Sequence, residues 1–245
     1  MKIATTSLIL MAVLSLAGCQ KPDDAAFGAR VRGYLLEHPE VIEEAVAKLR
    51  QGQMLEAAKT QAPAIGRLRQ QLERDPRDLV LNPAGTVTVV EFFDYRCGYC
   101  KQIAPEVTKL IAEHPDVRFV FKEFPIFGEV SDSAARMALT AGGKRNGLAL
   151  YKAWMSDRGL DEAALDRHLT AVGLDPLVVR KAAASPMIER QLQDVRALAR
   201  ELGLEGTPAF VVGDYLIPGA DVNALRAALA KVRSGDAKRP VAKPT

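Results

Sequence analysis

The stretch VTVVEFFDYRCGYCKQIAP, residues 87–105, decides the fold. Val87, Val89, Val90, Phe92 and Phe93 form a near-continuous apolar run, the pattern of a strand buried on both faces of a sheet. Cys97-Gly98-Tyr99-Cys100 follows directly. Ile103, Val107, Leu110 and Ile111 then recur at helical spacing to about Glu113, with Pro105 expected to kink that helix. A dithiol therefore opens a helix, where unpaired backbone N–H groups and the positive dipole end favour thiolate over thiol. Cys97 is the candidate nucleophile, and this reading requires its sulfur to be ionised and accessible. Glu91 interrupts the apolar run. Desolvated there, it carries a raised pKa and stands within reach of exchanging a proton with Cys100. The alternative is an outward-facing charge on a half-exposed strand.

Other uses of two cysteines fit less well. A zinc site needs two further ligands, yet there is no second Cys pair, and His38, His114 and His168 stand far apart without ligand spacing. No metal is expected. A structural disulfide closing so short a loop constrains the unfolded chain little. Redox chemistry remains. With 33 Lys and Arg against 30 Asp and Glu, and no dense basic cluster, the chain has no nucleic-acid signature. Its 245 residues, 48% hydrophobic, suit one sizeable domain plus an extension.

The N-terminus, residues 1–18, reads as a secretory signal, with a lysine near the start, an apolar core from Leu8 to Leu16 and small residues before Cys19. That core is too short for a permanent membrane span. Cleavage near position 18 leaves either an odd free thiol or an acylated Cys19. The compartment is then an oxidising one outside the inner membrane, where partner proteins set redox poise.

From Ala25 to about Arg77, Val31, Leu35, Val41, Ile42, Ala45, Val46, Leu49, Leu55, Ile65, Leu68 and Leu72 recur at helical intervals, with Pro39 in a first turn. The pattern is broken near Gly52 and Pro63. This apolar stripe must be buried, either against copies of itself, the favoured reading, or on its own domain. Beyond it the pattern predicts strands Val87–Phe93 and Val117–Phe124, a helical block from Ser131 to Leu202, strands Phe210–Val212 and Tyr215–Ile217 about a Gly213-Asp214 turn, and a helix from Asp221 to Val232. Asp175-Pro176 and Ser185-Pro186 read as helix caps followed by proline at the first helical position. Met137, Tyr151, Trp154 and Met155 read as core and not as a ligand box. Residues 234–245, rich in Lys, Pro and Ala, read as a flexible tail.

Glu91 to Pro105 resembles the active-site strand and helix of the thioredoxin superfamily, and within it the DsbA-like thiol:disulfide interchange proteins. Gly206-Thr207-Pro208-Ala209 is similar to that family's cis-proline loop, and the resemblance spans about residues 80–233. It implies an α/β, thioredoxin-like fold with an inserted helical subdomain at about 131–202 and an N-terminal helical extension, and no cofactor. By the same resemblance Cys97 attacks and Cys100 resolves, Glu91 is the buried acid, and Pro208 is cis, so that Thr207 and Gly206 present backbone groups to an extended substrate. Lys122 is then the lysine neighbouring Glu91; a solvated lysine at a strand end is the alternative. Gly98-Tyr99 departs from the Pro-His of strongly oxidising relatives. Together with Thr207 it resembles the isomerase and reductase branch that includes the ScsC group.

Residues 25–77 likewise resemble the oligomerisation segment of ScsC-like proteins. Leu16-Ala17-Gly18-Cys19 resembles a bacterial lipobox, and Gln20 after it favours the outer membrane. The expected organisation is a lipoprotein signal at 1–18, a helical stalk at 19–77, the catalytic domain at 78–233 and a tail. Expected partners are proteins with disulfides or thiols, a membrane redox partner that donates or accepts electrons, the membrane through the lipid anchor, and further copies of the chain. The rival readings are a monomeric dithiol oxidase and a thiol protein binding Cu(I), a soft ion suited to sulfur ligands.

Overall fold

The computed structural model describes residues 24–235. The signal segment, the proposed lipidation site Cys19 and residues 236–245 of the tail lie outside the described residues. The chain divides into two units, residues 1–48 and 49–245. The described part of the first contains α1 (Asp24–Glu37) and the start of α2 (Glu40–Glu73). Pro39 precedes α2, where the proline's missing N–H costs nothing. In this unit Phe27, Val31, Tyr34, Leu36, Ile42 and Val46 are 39–69% exposed, an apolar surface without a cover.

The second unit is built on a five-stranded sheet in the order β1-β3-β2-β4-β5. Its strands are β1 (Leu79–Leu81), β2 (Val87–Phe93), β3 (Val117–Glu123), β4 (Ala209–Val212) and β5 (Tyr215–Pro218). β2 and β3 are parallel, joined by α3 (Gly98–Glu113), and the other pairings are antiparallel. Between β3 and β4 lie α4 (Glu129–Ala138), α5 (Ala141–Arg145), α6 (Gly147–Ser156), α7 (Glu162–Ala171), α8 (Pro176–Ala183) and α9 (Pro186–Glu201); α10 (Val222–Arg233) ends the described chain. This is the α/β, thioredoxin-like arrangement with inserted helices that the sequence predicts. Asp175 and Ser185 accept from the N–H groups of Leu177 and Met187, with Pro176 and Pro186 in the first turns, as read from the sequence.

Both faces of the sheet are covered, which is why β2 reads as a continuous apolar run. Val89, Phe93, Phe119, Phe121, Phe210 and Val212 pack on one side with α3, α6 and α10. Met137, Tyr151, Trp154 and Met155 are all buried in this layer. Val90, Phe92, Val120, Ala209 and Val211 pack on the other side with Val195, Leu198, Ala199 and Leu202 of α9 and with Ile65, Leu68 and Leu72 of α2.

That second layer corrects one expectation. The predicted start of the catalytic domain at residue 78 is too late, because Ile65, Leu68 and Leu72 are at most 5% exposed and belong to its core. Helix α2 runs through Gly52 and Pro63, where the apolar pattern is broken. A proline inside a helix costs about 3 kcal/mol. Three buried aliphatic side chains, each contributing about 1.5–3 kcal/mol, outweigh that. The sequence did not predict β1, a three-residue edge strand too short to show any periodicity.

Candidate active site

Strand β2 ends at Phe93, and a short turn carries the chain to Cys97, the N-cap of α3 in extended conformation (φ −68°, ψ 122°). Asp94 shapes that turn. Only 1% exposed, it accepts from the backbone N–H of Arg96 at 2.6 Å and the Ser131 hydroxyl at 2.8 Å through one oxygen, and from the N–H groups of Ile126 and Phe127 at 2.7 and 3.1 Å through the other. Lys101 Nζ, one turn into α3, donates to the carbonyls of Trp154 and Asp157 and ties the dithiol helix to the end of α6.

Cys97 and Cys100 are both free thiols. The Thr207–Pro208 peptide bond is cis, as the resemblance implies, and the Pro208 carbonyl accepts from Gly219 N–H at 2.8 Å, fixing the loop to the end of β5. Cys97 Sγ donates to the Thr207 carbonyl at 3.2 Å, so residues 110 positions apart in sequence meet at the reacting atom. The Cys97 pKa is lowered to about 6. The hydrogen bond from the Cys100 thiol contributes most, burial opposes it, and the Thr207 side chain and the backbone N–H groups of Cys100 and Tyr99 add to the lowering. The Thr207 hydroxyl is buried with no other hydrogen-bond partner, so it is free to turn toward a thiolate. Cys100 is pushed far upward by burial, by its bond to Cys97 and by the charges of Cys97 and Glu91.

One requirement of the sequence reading is corrected here. Cys97 is only 2% exposed, against the accessible sulfur expected. The sulfur is tucked against the Thr207 carbonyl and the Cys100 thiol, whereas its chain neighbours Arg96, Gly98 and Tyr99 are exposed, Tyr99 by 67%.

Glu91 faces the dithiol side of the sheet, 1% exposed, with the Tyr151 hydroxyl 3.1 and 3.2 Å from its two oxygens. Burial raises its pKa to about 8, partly offset by the Tyr151 bond. Lys122 is not its neighbour. Glu91 pairs with Phe121 in the parallel register, and Lys122 pairs with Phe92, so Lys122 points to the opposite face. There its ammonium contacts Asp78 Oδ2 at 2.5 Å and the Gln71 carbonyl at 2.6 Å. The reading of Lys122 as a partner of the buried acid is therefore corrected; it anchors α2.

The sequence reading missed a second acid on the dithiol face. Glu123 is 3% exposed, accepts from the Tyr95 hydroxyl at 2.9 Å, and is raised well above the carboxylate range by burial. Unlike Glu91, which interrupts an apolar run, Glu123 follows Lys122 at the end of β3 and carries no such signal in the sequence. Among the described residues no cluster of three or more His, Cys, Asp or Glu could hold a metal ion.

A direct check follows from these values. The rate of iodoacetamide alkylation of the reduced chain is expected to rise with a midpoint near pH 6, one equivalent of alkyl group appearing on Cys97 and none on Cys100 up to pH 9. A midpoint above pH 8 would mean an ordinary thiol.

Comparison with known proteins agrees with this geometry. A thioredoxin-like oxidoreductase from Silicibacter pomeroyi DSS-3 is 41% identical, with a TM-score of 0.64, covering 68% of this chain and 98% of that one. A linker-deletion mutant of ScsC from Proteus mirabilis is 27% identical, with a TM-score of 0.64, over 90% of this chain and 99% of that one. A periplasmic thioredoxin-like protein from Salmonella enterica serovar Typhimurium is 31% identical, with a TM-score of 0.61, over 67% and 94%. The chain also spans 26% of the length of curated NhaA Na(+)/H(+) antiporters of Salinispora tropica and Salinispora arenicola, which it matches at 31% and 30% identity. Residues 23–54 match the copper resistance protein ScsC N-terminal domain. Residues 88–230, which hold the buried acid, both cysteines and the cis-proline, match the DSBA-like thioredoxin domain, and the chain belongs to that family.

Proposed function

We propose that this chain is a thiol:disulfide oxidoreductase of the cell envelope that acts on protein clients through Cys97 and Cys100, mainly as an isomerase and reductase. The observation carrying the reading is the Cys97 thiol, lowered to about 6 at a helix N-cap beside the cis-proline loop, with Cys100 held protonated behind it. The Cys97 thiolate attacks one sulfur of a client disulfide, forming the mixed disulfide and releasing the other client sulfur as thiolate. Attack by another client thiol then exchanges the bond and returns Cys97. Alternatively Glu91, as carboxylate, accepts the Cys100 proton, and Cys100 attacks Cys97 Sγ. The client leaves reduced by two electrons and the enzyme holds the disulfide, which a membrane electron donor must reduce. An acid near pH 8 suits both directions of that proton transfer.

The value of about 6 also bears on direction. An unfolded cysteine titrates at about 8.5. The thiolate therefore stabilises the reduced fold in full above about pH 8.5 and loses that contribution as pH falls through 6. Thiol pKa values of about 3.5 accompany the strongest oxidants of this superfamily and about 7 its reductants. A value of about 6 lies nearer the second and supports the reducing direction.

Residues 1–19 support export and an acyl anchor at Cys19, and a periplasmic relative supports the compartment. The exposed apolar residues of the first unit, together with the ScsC-like match there, support self-association. The test compares the chain starting at residue 20 with one lacking residues 20–48, a cut that spares Ile65, Leu68 and Leu72. Refolding of a scrambled-disulfide protein and solution mass are measured on both. The longer chain is expected to be oligomeric and to isomerise; the shorter is expected to be monomeric, to keep dithiol reactivity and to lose most isomerisation. Equal isomerisation by a monomer would remove the assembled isomerase.

A further inference from the structure

The ring of Tyr151 is ordinary core packing: wholly buried, it meets Phe93, Phe121 and Tyr95 edge-on at centroid distances of 5.4, 5.1 and 6.5 Å. A phenylalanine would make every one of those contacts. The hydroxyl is what packing leaves unexplained. It lies 3.1 and 3.2 Å from the two oxygens of Glu91, and among the described residues no other side chain donates to that carboxyl or pairs with it. Burial keeps the Tyr151 pKa well above the usual phenol range, so the hydroxyl stays a donor.

The other polar groups of this layer are committed elsewhere. Asp94 accepts from Arg96, Ile126, Phe127 and Ser131, Tyr95 donates to Glu123, and Lys101 gives its ammonium to the carbonyls of Trp154 and Asp157. Phe121 and Phe210 flank Glu91 on the neighbouring strands, and α10 covers the sheet with Leu225, Ala228 and Leu229. A carboxylate in so apolar a setting depends on the one donor it has. Tyr151, Glu91 and Cys100 lie within range of one another's charge. The Lys101 bonds hold the end of α6, which carries Tyr151, to the helix that carries the dithiol.

We propose that Tyr151 is a positioning residue for the resolving step: its hydroxyl keeps Glu91 available as the carboxylate that takes the Cys100 proton, and so sets how often a mixed disulfide is resolved by Cys100 and how often a client thiol exchanges it. This rests on the oxidoreductase reading above. The Cys100 proton passes to Glu91 and the Cys100 thiolate attacks Cys97 Sγ; the Cys97–Cys100 bond forms, the bond to the client breaks, and the client sulfur leaves as thiolate. Tyr151 transfers no proton. Because both Glu91 oxygens lie within its reach, it bonds the one left without a proton after the transfer. Burial raises Glu91 to about 8 and the Tyr151 bond holds it down; without that bond it moves higher, and less carboxylate is present at neutral pH. The inserted helical block thus reaches the chemistry through one phenol.

The test follows the reduced full chain with oxidised glutathione by acid quench and intact mass. Attack by Cys97 adds one glutathione to the chain and releases the other as thiolate; attack by Cys100 then expels the first and leaves the internal disulfide. In the unmodified chain, loss of the adduct is expected to quicken as pH rises through about 8. Tyr151→Phe, checked for a retained melting transition, is expected to form the adduct at the unmodified rate. It is expected to resolve the adduct about tenfold more slowly at pH 7, the contribution of one hydrogen bond to a charged group, with the midpoint moved to higher pH. A ring-fluorinated tyrosine at this position, a stronger donor of nearly the same size, is expected to move the midpoint to lower pH, which a loss of packing does not do. In Glu91→Gln, resolution is expected to be slow and flat with pH, and adding Tyr151→Phe is expected to change it no further. The proposal is overturned, with the oxidoreductase reading intact, if Tyr151→Phe resolves at the unmodified rate and midpoint, slows equally at every pH, or still slows the Glu91→Gln chain. If Tyr151→Phe does not fold, the fluorinated chain decides, and an unmoved midpoint overturns the proposal. If the unmodified chain reacts with oxidised glutathione no faster than free cysteine does, the oxidoreductase reading fails and the proposal falls with it.

Discussion

Cys97→Ser removes client isomerisation and reduction down to the uncatalysed level, an expected loss on the order of 10³-fold or more, because a serine hydroxyl is neither ionised at neutral pH nor able to form a disulfide. Cys100→Ala has the opposite signature. Cys97 still attacks, but the resolving thiol is gone, so the client stays attached and a reducible adduct of enzyme plus client accumulates. The asymmetry follows from the structure, since Cys97 is lowered to about 6 while Cys100 is fully buried and raised. Intact-mass measurement of each variant after incubation with a disulfide-bonded client checks it, alongside turnover. An adduct on Cys97→Ser, carried by Cys100, would reverse the assigned roles. Loss of the Cys100 hydrogen bond also removes the main cause of the lowered Cys97 pKa, so adduct formation by Cys100→Ala shifts its midpoint to higher pH.

Much of this site was legible before any coordinates because its parts carry local signals. A dithiol after an apolar strand names the helix end, a charge inside that strand names the buried acid, and the resemblance of Gly206-Thr207-Pro208-Ala209 to the family's cis-proline loop names the facing loop. What failed depended on which neighbour a residue meets across the fold. Lys122 and Phe121 differ by one position, and in a strand one position exchanges the faces of the sheet, so a lysine on the correct strand still ends on the wrong side. The near closure of Cys97 comes from a contact with Thr207, which no local pattern encodes. Helical periodicity in residues 25–77 shows that an apolar stripe must be covered but not by what. Residues up to Val46 leave theirs exposed, whereas Ile65, Leu68 and Leu72 use theirs against the sheet of their own domain. Glu123 was passed over because a charge at a strand end is ordinarily solvated, and only the packing of Tyr95 over it makes it buried.

The largest stability effect is expected on the other face, at Lys122. Its ammonium bonds Asp78 and the Gln71 carbonyl near the end of α2, Arg118 donates to the Glu73 carbonyl, and the side chains of both Lys122 and Asp78 are 1% exposed. Two cations thus satisfy carbonyls that the last turn of α2 leaves without helical partners. Lys122→Met strands the Asp78 carboxylate and the Gln71 carbonyl in the interior, at a cost of about 3–5 kcal/mol, while Arg118 still holds the Glu73 carbonyl. The cost depends on pH with a definite sign. Burial holds Asp78 up at about 6 even with Lys122 beside it, against about 3.9 unfolded, so its ionisation removes stability as pH rises through that window. Without Lys122 the folded value goes higher still and the removal continues above pH 6. The deficit of Lys122→Met relative to the unmodified chain is therefore smaller at pH 5, where the unpaired Gln71 carbonyl still costs, and largest at pH 8, read from urea unfolding at both. Lys122→Met combined with Asp78→Leu recovers most of it, since a buried pair replaced by apolar groups of similar volume is close to neutral. A lysine serving the dithiol would instead shift the Cys97 alkylation midpoint, which here stays near 6 in the folded variant. Equal losses at both pH values, or a double variant no better than the single, would show that the pair does not hold α2 to the sheet.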